Sequence, residues 1–563
     1  VNAFRATIRA SGTFGQPECF NYLVRITAFA DLSWLEMELT FLNREDSEFT
    51  EISEIVFNNT FPRKKNVTGS CGSGRKIYSS TEPFYFYHEE VLENYGVFSG
   101  SSIYREDGTK VEGIGMYEQQ LARGWLDESN QESGVCISMR DFVALYPKEA
   151  TWTPGQIDFS IWPERSCSLR LHQGIARTHT IMVHFHACDA AAARVEELAA
   201  AFDEPMLPQN SDWYLESGAF GLVLPHLPDR YPLIERQLRD QTVQTRNTRS
   251  LGMVNFGDYV NPGTGSQGGF STNNEPDRLH GFLIQHIRTG DRIAWGLVEA
   301  AVWHTIDIDM VHHTTRDPLE LGGVRIHGHD HVQYDAEGYP NVSTVPSHMW
   351  TEGLLEYYHL TGHPRFYEAA LSIGECFLRM VERGWTSPPY HSSWHSCRDS
   401  GWPLIGMAAV FEATGDHRFL EGMRSVFEAV RAAQHDNGGW SIELFFNEGF
   451  CPFQIGVCLT GLARYHEATD DEEALDVFLR GIEFLGGEAM RFPDGTWMYI
   501  TTNDYRSTYY SDSPLEPFGY AYHVSKNSKL IEKALKGWTR SLDLRATPRF
   551  LWAVHQAGLL QDG

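Results

Sequence analysis

At 563 residues the chain is too long for one hydrophobic core and should divide into two or more domains. Its composition, 42% hydrophobic and 13% aromatic, is that of an ordered globular protein, and no apolar run is long enough to cross a bilayer. A net charge of −28 opposes non-specific binding to nucleic acid or an anionic membrane, so a polyanionic ligand would need a local basic patch.

From the N-terminus the pattern is that of strands. Phe4 to Ala10 reads as a strand, and Tyr22 to Phe29 and Leu35 to Phe41 alternate apolar and polar residues at period two. Ile157 to Trp162 and Thr180 to His186 do the same, and the short connections carry Gly, Pro, Asn and Asp. Residues 1–200 therefore read as an antiparallel β-sandwich-like domain. Asp189 to Phe202 looks helical, and Pro205 to Pro228 reads as an irregular, proline-punctuated connection within a 201–230 linker.

From Tyr231 the period becomes helical. One phrase recurs: Arg288-Thr289-Gly290-Asp291, Leu360-Thr361-Gly362-His363, Ala413-Thr414-Gly415-Asp416 and Ala468-Thr469-Asp470-Asp471, with a weaker copy between His523 and Leu530. Each follows one amphipathic helix and precedes another, and its Gly suits a left-handed helix C-cap. Residues 231–563 thus read as an (α/α) toroid, incomplete or of six hairpins.

Nine of the 24 histidines fall between Ser271 and Glu352, at the start of this helical region. Loops crowded with imidazole, amide and carboxylate groups are what proton-transfer chemistry requires. In Ser271–Gly281, the amides of Asn273 and Asn274 with Arg278 could hold a carboxylate at a helix N-terminus, beside His280; equally, Asn274 and Asp277 could only cap the helix. In Trp303–His313, His304 with Asp307 and Asp309 with His312 stand three apart and could pair on a helix, for catalysis or as a buried brace. Arg325 is a further cation close by. In His327–His331, alternation puts His327, His329 and His331 on one side of an extended segment, before Tyr334. That pattern suits acid–base chemistry, substrate contact, an exposed loop, or a divalent metal such as Ca or Zn, though no metal-site motif is matched.

His348 and Glu352 stand four apart, and Trp350 between them could stack on a sugar or fill the core. Later candidates are Tyr390 to Asp399, Trp440 to Glu448, and Asn503 to Tyr510, where Tyr505 offers a phenolic acid and Arg506 a carboxylate clamp. The nine cysteines lack any paired Cys-x-x-Cys spacing; Cys451 and Cys458 lie seven apart and could meet, but nothing reads as a zinc ribbon or disulfide framework. The chain opens at Val1 without a signal-peptide pattern, and the reading leans to an extracellular or periplasmic protein whose natural N-terminus is missing.

Several phrases together resemble the exo-acting rhamnogalacturonan lyase and YetA-like proteins: Thr40 to Asp46, Arg140-Asp141-Phe142, Tyr146 to Glu149, Arg288 to Asp291, His304-x-x-Asp307-x-Asp309, and Glu352 to Gly362. Members of that family have an N-terminal barrel, a central β-sandwich and a C-terminal (α/α) toroid, of which the first is expected to be absent or truncated here. The resemblance implies β-elimination on a uronic-acid-containing glycan, probing an acidic polysaccharide or oligosaccharide as the partner. The chemistry needs a neutralised carboxylate, expected from Asn274, Arg278 or Arg325; a base, from His280, His327 or His329; and an acid, from Tyr334 or Tyr505. Trp350 would hold a sugar. Three other readings stand beside it: a glycoside hydrolase using Glu352 with Asp307 or Glu448, a sugar epimerase, and a non-catalytic carbohydrate-binding protein. Homo-oligomerisation is compatible with each.

Overall fold

The computed structural model describes residues 4–15, 20–62, 64–73, 76–93, 96–114, 123–187, 192–207, 209–248, 251–259, 273–325, 344–383, 398–444, 447–502, 513–539, 542 and 544–561. The chain forms two units. The first comprises Val1–Pro208, Leu251–Phe256 and His312–Thr315, and the second Gln209–Ser250, Gly257–Val311 and Arg316–Gly563.

The first unit is antiparallel throughout. An eight-stranded sheet runs, edge to edge, Arg5–Phe14, Phe20–Phe29, Trp34–Asn43, Ala176–Ala187, Ser133–Met139, Trp125–Ser129, Thr68–Ser73 and Lys76–Ser80. A six-stranded sheet runs Lys110–Ile114, Gly96–Arg105, Phe84–Glu93, Lys148–Thr153, Gln156–Trp162 and Ile55–Thr60. All four period-two runs read from the sequence lie in these strands. The two sheets meet where the Trp152 ring lies against Gly69, 2.2 Å from where a Cβ would stand. The buried indole N–H of Trp152 donates to the Glu128 carboxylate (3.0 Å), which also accepts from Gly155 N (2.7 Å). Helix α1 (Ala192–Asp203) packs Val195 and Ala199 onto Trp125 and Cys136.

In the second unit a six-residue helix, α2 (Ser211–Glu216), stands inside the stretch expected to be irregular, capped by Asn210 accepting from Trp213 N. Twelve longer helices follow among the described residues: α3 (Pro232–Thr248), α4 (Arg278–Thr289), α5 (Arg292–His304), α6 (Glu352–Thr361), α7 (Pro364–Glu382), α8 (Arg398–Thr414), α9 (His417–Ala433), α10 (Pro452–Thr469), α11 (Glu472–Leu485), α12 (Glu516–Ser525), α13 (Ser528–Gly537) and α14 (Ala546–Gln556).

Burial sorts these helices into two kinds. α9 and α11 each bury a single stripe, Phe419, Met423, Val426, Phe427 and Val430 in α9, and Ala474, Val477, Phe478, Ile482 and Leu485 in α11. That is the pattern of an outer helix. α4 instead buries every residue from Leu279 to Arg288, and α10 nearly all from Pro452 to Ala463, as inner helices do. The even-numbered helices from α4 to α14 pack each on the next, and Gly281 of α4 lies against Arg545 at the entry to α14. α8 and α10 approach backbone to backbone at Gly401 and Gly461, where a side chain on either would strike the other helix.

The recurring Thr-Gly-Asp phrase is a double cap. Its Thr hydroxyl closes the preceding helix by donating to the carbonyl four residues back, as in Thr289 to Gln285 (2.7 Å) and Thr414 to Val410 (2.7 Å). The same oxygen accepts from the residue after the turn, Asp291 N or Asp416 N, each at 3.1 Å. That Asp then opens the next helix, accepting from Ile293 N (2.8 Å) or Arg418 N (3.0 Å). Gly290 and Gly362 take left-handed φ of 71° and 68°; Asp470 and Lys526 occupy the equivalent place at 53° without being glycine.

One suggested pairing differs from what is found. Thr305–Asp309 is a π turn, so His304 meets Asp309, five residues on (3.1 Å), instead of a residue three away. Asp307 is thereby turned to Arg365 (2.8 Å). Cys451 and Cys458 are both free and buried; the Cys451 thiol is turned to the Tyr499 carbonyl (3.2 Å). No helix among the described residues is long and apolar enough to cross a membrane.

Candidate active site

The N-terminal ends of α4, α6 and α8 bring together Asn273, Glu275, His348 and Arg398. Asn273, with φ 42°, is fully buried; its side-chain NH2 donates to the His348 carbonyl (2.9 Å) and its Oδ1 faces His348 Nδ1 (3.1 Å). His348 Nε2 lies 3.4 Å from an Arg398 Nη and 4.0 Å from a Glu275 oxygen. Arg398 and Glu275 pair at 2.9 Å, while burial pushes the Glu275 carboxyl up against the pull of Arg398. The indole N–H of Trp350 donates to the Asn273 carbonyl (3.2 Å).

Within one helical turn of this group lies a layer of buried charge. Asp277 caps α4, accepting from His280 N (3.3 Å), and also accepts from Gly353 N (3.4 Å). Burial raises its carboxyl to about 6. His280 Nδ1 sits 2.9 and 2.8 Å from the two oxygens of Glu356. Burial alone would lower its proton affinity, but Glu356, then Glu352 and Asp277, outweigh it and raise the pKa. Glu352 is held in the opposite sense: burial favours its neutral form, yet Arg464 at 2.5 Å, His280, and Arg545 at 3.5 Å bring it down to about 2. Arg545 also pairs with Glu516 (2.5 Å) and lies over the Trp402 ring (4.5 Å).

The residues singled out from the sequence fall into three groups. His327, His329, Tyr334, Tyr505 and Arg506 lie outside the described residues. Asn273, His280, His348 and Glu352 converge on the inner helices as above. The others are placed differently from their expected roles. Asn274 is spent on the backbone, donating to Gly257 O (3.0 Å) and accepting from Tyr259 N (3.2 Å), which leaves little of its amide for a ligand. Trp350 is 2% exposed, edge-on to Trp402 at 4.9 Å, a core residue with no face offered to a sugar. Arg325 is buried beside Glu320 (3.7 Å), and burial lowers it to about 10. Arg278 is half-buried and donates to its own first turn, at Glu275 O (3.1 Å).

Three partners were not singled out, Arg464, Arg545 and Glu356, while Glu275 and Arg398 lay within the candidate stretches Ser271–Gly281 and Tyr390 to Asp399 without a role of their own. A signal for two of them exists, because Arg464 and Arg545 interrupt segments that are otherwise buried, and a cation there demands a partner. Among the described residues, no three His, Cys, Asp or Glu side chains stand close enough to hold a metal ion.

No family model matches the chain, and no curated protein does. Solved structures with some likeness include a polysaccharide lyase at 13% identity (TM-score 0.34, 52% of this chain, 89% of that one). A family 76 glycoside hydrolase from a bovine Bacteroides thetaiotaomicron strain is 10% identical (TM-score 0.39, 93% and 96%). The cellobiose 2-epimerase of Spirochaeta thermophila is 12% identical (TM-score 0.39, 58% and 96%). Likenesses this slight assign no activity to the chain.

Proposed function

We propose that the second unit is an (α/α) toroid, the first a β-sandwich, and the protein a carbohydrate-active enzyme that cleaves a uronic-acid-containing glycan by β-elimination. The observation that carries this reading is the imidazole of His348 beside the guanidinium of Arg398, 3.4 Å apart. Removing the proton next to a carboxylate needs a neutral base and a cation that takes up the charge passing into that carboxylate. The two stand side by side here, and the α6 phrase Glu352 to Gly362 is among those that resemble the rhamnogalacturonan lyase family.

In this reading His348 Nε2 is the base and Arg398 receives the substrate carboxylate. His280 is assigned away from the base role, because Glu356 favours its protonated form. The leaving oxygen is protonated by Tyr334 or Tyr505. A divalent metal at His327, His329 and His331 is a further element of the proposal, open to test by chelation. Hydrolysis through Glu352 and Asp307 fits less well: Asp307 is buried against Arg365, and Glu352 is clamped by two arginines.

The test is a panel of uronate-containing glycans read by ultraviolet absorbance and product mass. The expected product carries a C4–C5 double bond and has gained no water, and it is lost in both His348→Gln and Arg398→Gln with circular dichroism unchanged. A product that has gained water, or undiminished turnover in both variants, overturns the proposal.

A further inference from the structure

At the opposite ends of the inner helices stands a second polar group that the reading above does not use. Arg398 opens α8 and Glu412 lies 14 residues along it, a rise of about 21 Å at 1.5 Å per residue. Glu412 is exposed, as are Glu467 on α10 and His523 on α12, so the inner layer opens to solvent here. Trp552 of α14 is half-buried, its ring 5.9 Å from His523 and 6.4 Å from Tyr522. Beneath them lies Arg549, 7% exposed.

Among the described residues the Arg549 guanidinium makes no hydrogen bond and no ion pair. Room for it is left by Gly519, whose Cβ would stand 2.9 Å from its Cγ. A guanidinium has five N–H donors, each of which can meet an acceptor on a ligand. The neighbouring carboxylates are committed elsewhere: Glu467 to Arg464 (3.1 Å), Glu516 to Arg545 (2.5 Å), and Glu352 to both arginines. Their fields still reach Arg549, and that of Arg549 reaches Glu412, Glu467, Tyr520 and His523. Burial and the Arg464 charge outweigh that pull and hold Arg549 below the ordinary guanidinium range, and among the described residues its donors find no acceptor.

That imbalance selects the ligand. An anion would enter a region where carboxylates already outnumber guanidiniums. A neutral sugar would not: its hydroxyls accept from Arg549, donate to Glu412 and Glu467, and its C–H face can lie on Trp552. We propose that the C-terminal ends of α8, α10 and α12, with the first two turns of α14, form a separate binding site for a neutral saccharide, with Arg549 as donor and Glu412 and Glu467 as acceptors.

The experiment is saturation-transfer NMR on the full chain with L-rhamnose, D-galactose, D-mannose and D-glucose as probes, and acetate as an anionic control. Expected is transfer to at least one sugar, reduced at least tenfold in apparent affinity by Arg549→Met and by the exposed Glu412→Ala, and retained in His348→Gln. Should Arg549→Met fail to fold, Glu412→Ala alone decides. No transfer to any sugar, binding of acetate in preference, or sugar binding that His348→Gln abolishes and Glu412→Ala leaves intact, each overturns the site. None of these results bears on β-elimination, which is read from products.

Discussion

The side chain of Asn273 fixes the tautomer of His348. Its NH2 must face the His348 carbonyl (2.9 Å), because the reverse orientation would set two acceptors against each other. Oδ1 is left facing Nδ1 (3.1 Å) and can only accept, so Nδ1 carries the proton and Nε2 the lone pair. Asn273→Asp would place a carboxylate at Nδ1, raise the imidazole pKa and move the acidic limb of the pH–rate profile upward. His348→Gln should cost about 10²–10⁴-fold in kcat, the usual worth of a general base, and Asn273→Ala less. An unmoved acidic limb in Asn273→Asp would show that this imidazole is not the base.

Stability against pH should carry two signatures of opposite sign. Glu352 has a folded-state pKa lowered to about 2, so its contribution is present above the ordinary carboxylate range and is lost as pH falls from there toward 2. Asp277 has one raised to about 6; the folded state binds its proton more tightly, so stability declines as pH rises from about 4 to 6. Asp277→Asn keeps an N-cap side chain and should flatten the upper window, while Glu352→Gln should flatten the lower. Denaturant midpoints measured from pH 2.5 to 7 distinguish the two.

Lys526 sits at φ 53° in the turn between α12 and α13, where three other copies of the phrase use Gly290, Gly362 and Gly415 and a fourth uses Asp470. A left-handed conformation costs a side-chain-bearing residue about 1–2 kcal/mol, partly offset by the greater chain entropy of glycine when unfolded. Lys526→Gly should therefore stabilise the protein by about 0.5–1 kcal/mol in a denaturant titration. A lower midpoint would mean that the Lys526 side chain, 6.0 Å over the Tyr522 ring, outweighs the strain.

The fold was legible because it is written in local chemistry. Period-two runs such as Thr180 to His186 became strands, and a Thr-Gly-Asp phrase that caps twice, ending one helix and starting the next, marked the hairpins. The site was legible only as a list of residue types. Asn273 and His348 were singled out, but the amide of Asn274 looked equally available, and nothing local says that Gly257 and Tyr259 consume it. Trp350 looked like a platform because sequence does not reveal that Trp402, 52 residues on, packs against it. Arg464 and Arg545 were missed because the Glu352 they share lies far away in the sequence, and only packing brings them together.

Asp307 separates the lyase reading from the hydrolase reading. It is fully buried, pairs with Arg365 at 2.8 Å, and Arg365 in turn lies 5.2 Å over the Trp303 ring. As a brace, its removal in Asp307→Ala leaves a buried guanidinium uncompensated and should cost about 3–5 kcal/mol of stability while the folded protein keeps its kcat. As a hydrolytic carboxylate, its removal should abolish turnover whatever the stability. Should the single variant not fold, the double variant Asp307→Leu with Arg365→Met removes both charges together, which is often neutral for stability. Near-normal kcat in that double variant assigns Asp307 to structure, and loss of activity in a folded double variant assigns it to chemistry.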